Sequence, residues 1–169
     1  FISGWHTGRE TKFKVFGPKG LKRHFDKIFE AYKEELDLRK EWEKRPNVEG
    51  LAYEIIEINN ELKIELDNAT IESVKVDHHP VDPAFGYKFI LGPKNIIFSG
   101  DTRYCEVLEK SSKHADILVH EVFVGLDYDP VRMSSDTIEN ISDYHTTPEE
   151  IGVLASNASV KKLVLNHFV

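Results

Sequence analysis

The sequence is poor in cysteine, in long apolar runs and in positive charge. Its single cysteine, Cys105, has no partner for an internal disulfide, so nothing indicates an oxidising compartment. No apolar run approaches the length of a membrane span, and no secretory signal peptide is visible. We therefore predict a cytoplasmic protein that has no membrane partner.

The charge balance is acidic, and this limits the classes of partner. The chain has 22 Lys and Arg against 29 Asp and Glu, which gives a net charge of −7. Broad, non-specific nucleic-acid binding needs a basic surface, so the charge argues against it but leaves room for a local basic pocket. The length of 169 residues is enough for a real core, and we expect residues 1–169 to form a single domain.

The hydrophobic pattern predicts a layered α/β fold. We assign residues 1–11 to a loop, 12–16 to a short strand and 21–44 to the longest helix, whose apolar residues recur at helical spacing. Asn59-Asn60 predicts a hairpin between strands 52–58 and 61–66. Further strands are expected at 70–76, 85–91, 95–98, 116–119 and 161–165, with helices at 104–111 and 148–157 and a polar loop or short helix at 125–144.

Ionisable side chains collect where the predicted strands end. Singly each has an ordinary explanation: Asp101 after Ile96–Gly100 can cap the next helix, and a histidine in a loop is commonly just hydrogen-bonded. Together they are harder to dismiss, because sites in layered α/β sheets form at the C-terminal strand edge. The residues in or just after these strand ends, or before the following helix, are His78, Asp101, His120, Glu121, His145 and His167.

Histidine and aspartate are common zinc ligands, and they also suit manganese or iron. Strand alternation indicates which histidine of the His78-His79 pair faces inward. His78 shares a face with Val74 and Val76, so we expect His78 to be the ligand and His79 to support it or to face solvent.

Seven motifs spread over nearly the whole chain carry a family resemblance. They are Val15-Phe16-Gly17-Pro18-Lys19-Gly20, Val76-Asp77-His78-His79-Pro80, Ala84-Phe85-Gly86-Tyr87-Lys88, Phe98-Ser99-Gly100-Asp101-Thr102-Arg103, Leu118-Val119-His120-Glu121, His145-Thr146-Thr147 and Leu165-Asn166-His167-Phe168. In this order and spacing they resemble the metallo-β-lactamase fold, on the branch that holds ribonuclease Z and the arylsulfatase-like and phosphodiesterase-like hydrolases. The resemblance implies part of an αββα sandwich.

The resemblance also implies a chemistry for the strand-end residues. It implies two zinc ions bridged by Asp101 and a hydroxide, with His78 as a ligand of one ion and His167 as a ligand of the other. Glu121 and His145 match the family positions that handle the proton of the leaving group. It further implies that Thr102 and Arg103 support the ligands, that His120 is structural, and that a homodimer is an expected assembly.

Two departures from the family shape the expected function. The family motif His-x-His-x-Asp-His is absent, and the chain opens at Phe1 without Met and closes in a strand-to-loop turn. We therefore expect a piece of a longer protein, truncated at both ends and inactive by itself. The bacterial ribonuclease Z arm has no room between Tyr87 and Ser99, where Gly92-Pro93-Lys94 makes a tight hairpin.

The leading hypothesis is thus a zinc-dependent hydrolase of a phosphodiester, sulfate ester or similar small-molecule ester. One alternative is a tRNA 3′-end processing endoribonuclease, for which nucleic acid would be the partner. Another is a metal-free, non-catalytic binding module of the same fold. A DHH phosphoesterase, suggested by Asp77-His78-His79-Pro80, is disfavoured because residues 1–76 contain no Asp-x-Asp motif.

Three remaining features have ordinary interpretations. Cys105 is expected to be a structural thiol, since the sequence puts no base beside it. Trp5 is expected to pack in the interior rather than to line a pocket with His6. The segment Gly17-Pro18-Lys19-Gly20 lacks the rest of a phosphate-binding loop and is interpreted as a turn.

Overall fold

The computed structural model describes residues 1–45, 48–125 and 133–169. These residues form two compact units, Phe1–Asn59 and Asn60–Val169. Both mix helices with sheet, which confirms the predicted α/β class. Among the residues described, no helix is long and apolar enough to cross a membrane. The expectation of a single domain stays a prediction.

Among its described residues, the first unit has a pair of parallel strands, three α-helices and one 3₁₀ turn. Its elements are α1 (Ile2–His6), β1 (Phe13–Pro18), α2 (Leu21–Ala31), α3 (Lys33–Trp42), the 3₁₀ helix Glu49–Leu51 and β2 (Tyr53–Ile58). Strand β1 pairs with β2 in parallel from Phe13↔Tyr53 to Pro18↔Ile58.

The predicted loop at residues 1–11 is wrong in part, because residues 2–6 form α1. Trp5 is 2% exposed and packs with Leu36 and Leu51, as expected for an interior residue. This contact over a long sequence separation favours the short helix, and local sequence carries no signal for it.

The predicted single helix at 21–44 is also wrong, since the chain leaves helical geometry at Tyr32. No proline or glycine occurs between Leu21 and Trp42, so the sequence contains no signal for a break in the helix. The break goes with packing on both sides of it: Phe29 stacks on Tyr53 at 4.4 Å between ring centroids, and Leu36 enters the Trp5 cluster.

The hairpin predicted around Asn59-Asn60 does not form. Strand β2 pairs with β1, and the next strand pairs with the strand that follows it. A turn signal indicates where the chain changes direction but not which strand it pairs with, and β1 offers β2 a partner over its full length.

The turn before α2 is capped by the side-chain carboxylate of Glu57 in β2. The backbone N–H groups of Gly20 and Lys22 donate to Oε1 of Glu57 at 2.8 and 3.1 Å. Glu57 thus occupies the positive end of the helix, which agrees with the interpretation of Gly17–Gly20 as a turn rather than a phosphate loop.

The second unit is a six-stranded mixed sheet with three helices among its described residues. Its elements are β3 (Lys63–Leu66), β4 (Ala69–His78), β5 (Val81–Leu91), β6 (Lys94–Phe98), α4 (Glu106–Ser111), β7 (Ile117–Val122), α5 (Ser135–Ser142), α6 (Pro148–Asn157) and β8 (Leu163–Phe168). Residues 126–132 of the predicted loop or short helix at 125–144 lie outside the described residues.

The strands of this sheet lie in sequence order from β3 to β8. Pairings from β3 to β6 are antiparallel, whereas β6–β7 and β7–β8 are parallel. Parallel neighbours need crossovers, and helices α4 and α6 lie in them. The core joins these helices to one face of the sheet through Val74, Val76, Ile97, Leu108, Ala115, Leu118 and Leu154.

The start of α6 carries a capping box and confirms the predicted helix at 148–157. Thr147 Oγ1 accepts from the backbone N–H of Glu150, and Glu150 Oε2 accepts from the backbone N–H of Thr147 at 3.0 Å. We expect Thr147→Ala to lower the free energy of unfolding by about 1 kcal/mol, measured by chemical denaturation. Thr147→Ser keeps the hydroxyl and is expected to retain most of that stability. Equal losses in both variants would contradict this role for the hydroxyl.

Candidate metal and acid–base site

The candidate site lies at one edge of the six-stranded sheet. Because β5 is antiparallel to both β4 and β6, strands β4, β6, β7 and β8 all run in the same direction. Their C-terminal ends therefore meet at the same edge. His78, Asp101, Glu121 and His167 lie at these ends, and His145 lies just before α6.

Asp101 follows a tight turn that packs against β5. The backbone N–H of Ser99 donates to Val119 O at 2.9 Å, which extends the strand contact beyond Phe98. Gly100 then has φ +64°, and a Cβ on it would lie 2.5 Å from Phe85 O. A Cβ on Gly86 would lie 2.6 Å from both Phe98 O and Ser99 O. These two glycines let the turn approach closely enough to direct the chain at Asp101 toward the edge.

We expect Gly86→Ala to destabilise the protein by about 1–3 kcal/mol, because the new methyl group would meet backbone atoms that cannot rotate away. The matched control is Gly152→Ala in α6, where a Cβ meets nothing within 4 Å and the helix should gain about 1 kcal/mol. Urea denaturation of both variants measures the difference. A Gly86→Ala protein as stable as the wild type would contradict the close approach.

His78 is held in a single tautomer. Its Nδ1 lies 3.0 Å from Tyr144 O, and a carbonyl can only accept, so the proton is on Nδ1. The lone pair of Nε2 is then free for another partner. This hydrogen bond to a backbone carbonyl is the arrangement usual for metal-binding histidines. The pairing of β4 with β5 shifts register between Val76 and His78. The alternation of inward and outward side chains at Val74 and Val76 therefore does not extend directly to His78.

Glu121 is a carboxyl group buried behind the edge, 1% exposed. Its Oε1 accepts from the backbone N–H groups of Thr102 at 3.2 Å and Thr146 at 3.1 Å. Burial raises the pKa of Glu121 to about 7, the two hydrogen bonds oppose the rise, and the charge of Asp101 adds to it. The carboxyl group can therefore both give and accept a proton near neutral pH.

His145 lies directly beside this carboxyl group. Its Nδ1 is 3.2 Å from Glu121 Oε1, although the two atoms do not have the geometry of a hydrogen bond. Burial lowers the pKa of His145, and nearby His78 lowers it further, while Asp101 opposes the shift. The pKa shifts of Glu121 and His145 thus both favour neutral side chains, so the pair holds a proton rather than a fixed pair of charges.

The remaining predicted ligands meet His145 from the other side. The ring of His145 is 5.2 Å from that of His78 and 6.0 Å from that of His167, between centroids. His167 Nε2 lies 3.6 Å from Asp101 Oδ2, and both side chains are about half exposed. The edge thus brings together three imidazoles and two carboxyl groups.

Imidazole and carboxylate groups are common zinc ligands, so the chemical types of these side chains fit zinc. His78 also has Nε2 available, because its hydrogen bond uses Nδ1. Within the described parts of the chain, however, no group of three or more such side chains is spaced to hold a metal ion. The donor set present here is therefore partial.

Other singled-out residues lie away from this cluster. His79 is exposed, and its backbone N–H donates to Asp77 Oδ1. His120 is fully buried with Nδ1 2.7 Å from Glu121 O, and burial lowers its pKa. Cys105 is half-buried against the core.

Two residues near the site were assigned no individual role from the sequence. Thr146 is fully buried, and its Oγ1 donates to Thr102 O at 2.6 Å, which ties the His145 segment to the Asp101 segment. Tyr144 supplies the carbonyl that orients His78. Both residues flank His145 in the sequence, and Thr146 also belongs to the motif His145-Thr146-Thr147.

The sequence model of the beta-lactamase superfamily domain matches residues 3–168. The chain belongs to this family. Ribonuclease Z of Mycobacterium tuberculosis is 33% identical over 103 residues, covering 61% of this chain and 37% of that protein. Ribonuclease Z of Mycobacterium marinum is 26% identical over 171 residues, covering 99% of this chain and 60% of that protein. This superfamily domain therefore spans less than two thirds of the length of these relatives.

Solved structures confirm the fold of this superfamily domain. The metallo-beta-lactamase fold protein YhfI from Bacillus subtilis matches 99% of this chain and 56% of its own, with a TM-score of 0.64 and 18% identity. Human tRNase Z, short form, matches 93% of this chain and 60% of its own, also with a TM-score of 0.64 and 18% identity. The predicted metallo-β-lactamase fold is thus confirmed, and the similarity to the ribonuclease Z relatives agrees with the predicted branch.

Proposed function

We propose that the protein containing this domain is a metal-dependent hydrolase of phosphodiesters. The observation that carries the proposal is the buried Glu121–His145 pair, 3.2 Å apart, beside His78, Asp101 and His167. A proton-exchanging pair next to metal-type donors is the combination that hydrolysis of a stable ester requires.

His78, Asp101 and His167 would hold the metal, with further ligands from parts of the protein outside this chain. Bound zinc would supply an activated water and positive charge at the ester, and manganese or iron could serve similarly. Nδ1 of His78 faces the Tyr144 carbonyl, which leaves Nε2 as the ring nitrogen that can bind a metal. The complete set would hold two zinc ions, with Asp101 among their ligands.

His145 and Glu121 would handle the proton of the leaving group. His145 faces the donors, whereas Glu121 lies behind it and is 1% exposed. Because the pKa of Glu121 is about 7, it can accept a proton from His145 or return one at neutral pH. His145 would thus contact the leaving oxygen. Glu121 would orient His145 and return a proton to it.

RNA is the first substrate class to test, since the curated relatives are ribonucleases Z at 26–33% identity. A small phosphodiester is the second candidate. Two observations favour it: the net charge of the chain is −7, and β5 and β6 are joined through Gly92-Pro93 alone, without an arm. A sulfate ester is the third.

The test uses the full-length protein purified with added zinc. Its metal content is measured by elemental analysis, and its turnover is measured on precursor tRNA, bis-p-nitrophenyl phosphate and p-nitrophenyl sulfate. About two metal ions per chain with cleavage of either phosphodiester supports the proposal. Sulfate cleavage alone would replace it with the sulfatase alternative. No bound metal would overturn it and favour a non-catalytic binding module. The homodimer and the cytoplasmic location stay predictions.

A further inference from the structure

Arg103 stands at the meeting point of three segments that carry candidate site residues. These are the segment 77–79 at the end of β4, with His78, the segment 101–103 after β6, with Asp101, and the segment 143–145 before α6, with His145. We propose that Arg103 is a positioning residue that holds the first and third segments against the second. The inference rests on the proposed function only for the consequence on metal binding.

The backbone already joins two of the segments. The N–H of Arg103 donates to Asp77 O at 2.8 Å, and Thr102 Oγ1 donates to the same carbonyl at 3.0 Å. These bonds put the Arg103 side chain between the two outer segments, because its Cα is held beside Asp77.

The guanidinium reaches carboxylates on both sides. Its Nε is 3.6 Å from Asp77 Oδ2, and its Nη2 is 3.8 Å from Asp143 Oδ2. Nη2 also donates to His79 O at 3.4 Å. A planar fork with several donors can contact two carboxylates and a carbonyl at once, whereas the single ammonium of lysine cannot match that spread.

The Nε–H of Arg103 is buried and makes no hydrogen bond. A buried N–H group without a hydrogen-bond partner costs free energy of folding. An arginine that served stability alone would be expected to form a shorter ion pair with one carboxylate. Its position between Asp77 and Asp143 instead suits a group that holds both segments at a set separation.

The separation of segments 77–79 and 143–145 affects the candidate metal-binding side chains. His78 Nδ1 donates to Tyr144 O, a bond between the same two outer segments, and the rings of His78 and His145 are 5.2 Å apart. If Arg103 is removed, the segments can move apart, and the orientation of His78 is then lost along with its distance to His145.

The test compares Arg103→Gln, Arg103→Lys, Asp77→Asn and Asp143→Asn in the full-length protein. Hydrogen exchange of the metal-free protein is followed at amides 77–79 and 143–145, with Leu118 and Val119 in β7 reporting global unfolding. We expect Arg103→Gln to speed exchange about threefold or more in both segments and not in β7. Asp77→Asn should affect the first segment, Asp143→Asn should affect the third, and Arg103→Lys should restore only part of the protection.

The second readout is metal affinity, measured by competition with a chromogenic chelator. We expect Arg103→Gln to weaken zinc binding about 10–100-fold, with partial recovery in Arg103→Lys. Unchanged exchange in both segments, or unchanged zinc affinity, would overturn the positioning role. If the wild-type protein binds no zinc, the proposed function fails, and the exchange data alone decide the role of Arg103. If Arg103→Gln unfolds globally, the two aspartate variants decide it.

Discussion

Replacing Asp101 with asparagine is expected to abolish hydrolysis and to remove bound metal. The amide keeps the shape of the side chain but removes the negative charge that binds a divalent cation. Because metal activation contributes several kcal/mol, we expect phosphodiester turnover to fall about 10³-fold or more. The measurement is the rate of bis-p-nitrophenyl phosphate hydrolysis by the full-length protein, with metal content determined on the same sample.

A matched control separates this effect from a general loss of charge. Asp82 is a carboxylate in β5 of the same sheet, its side chain is 69% exposed, and it pairs with Lys75 at 3.3 Å. Asp82→Asn should leave metal content and turnover unchanged within about twofold, as for most exposed substitutions. Full metal content and full activity in Asp101→Asn would remove Asp101 from the site.

Replacing Glu121 with glutamine is expected to separate proton handling from metal binding. The glutamine Oε1 can still accept from the N–H groups of Thr102 and Thr146, so the fold around the site should persist. The variant cannot exchange a proton with His145. We therefore expect turnover to fall about 10²–10⁴-fold while metal content stays at the wild-type value.

Glu149→Gln is the control for this change, since Glu149 is an exposed acid in the first turn of α6. It should retain nearly full turnover. A Glu121→Gln protein that loses its metal would show that Glu121 supports the metal rather than the proton. One with wild-type turnover would remove Glu121 from the reaction.

The same variant has a signature in the stability of the metal-free protein. Glu121 has a pKa of about 7 in the folded state against an ordinary value of 4.5, so the folded state binds its proton more tightly than the unfolded state does. The contribution of Glu121 to the free energy of unfolding should therefore fall as the pH rises from about 4.5 to 7, by at most about 3 kcal/mol. Glu121→Gln should lack this decrease, and denaturation across that pH range measures it.

Much of the second unit could be predicted because its signals are local. The alternation of Val74, Val76 and the apolar run Ile96–Phe98 predicts strands, and the capping box of Thr147 and Glu150 predicts the start of α6. The first unit was predicted less well. The start of α1 and the break at Tyr32 follow from contacts of Trp5, Leu36 and Tyr53 that are distant in sequence.

For the candidate site too, some features follow from local sequence and others from contacts between distant segments. Sequence position alone indicates that Asp101 and His167 lie at strand ends, because a run of apolar residues ending in a polar one is a local pattern. It carries no information about the partner of each side chain. The approach of Tyr144 O to His78, and of Asp143 to Arg103, depends on how the segment before α6 folds back over the sheet.

By itself, then, the sequence determined the α/β class, the strands of the large sheet, the family resemblance and the residue types at the strand ends. Only the tertiary structure decided that β2 pairs with β1, that Glu121 is buried with a pKa near 7, and that Arg103 lies between Asp77 and Asp143. The reason is physical: hydrophobic periodicity and capping act within a few residues, whereas burial and pairing depend on neighbours brought together by the whole fold.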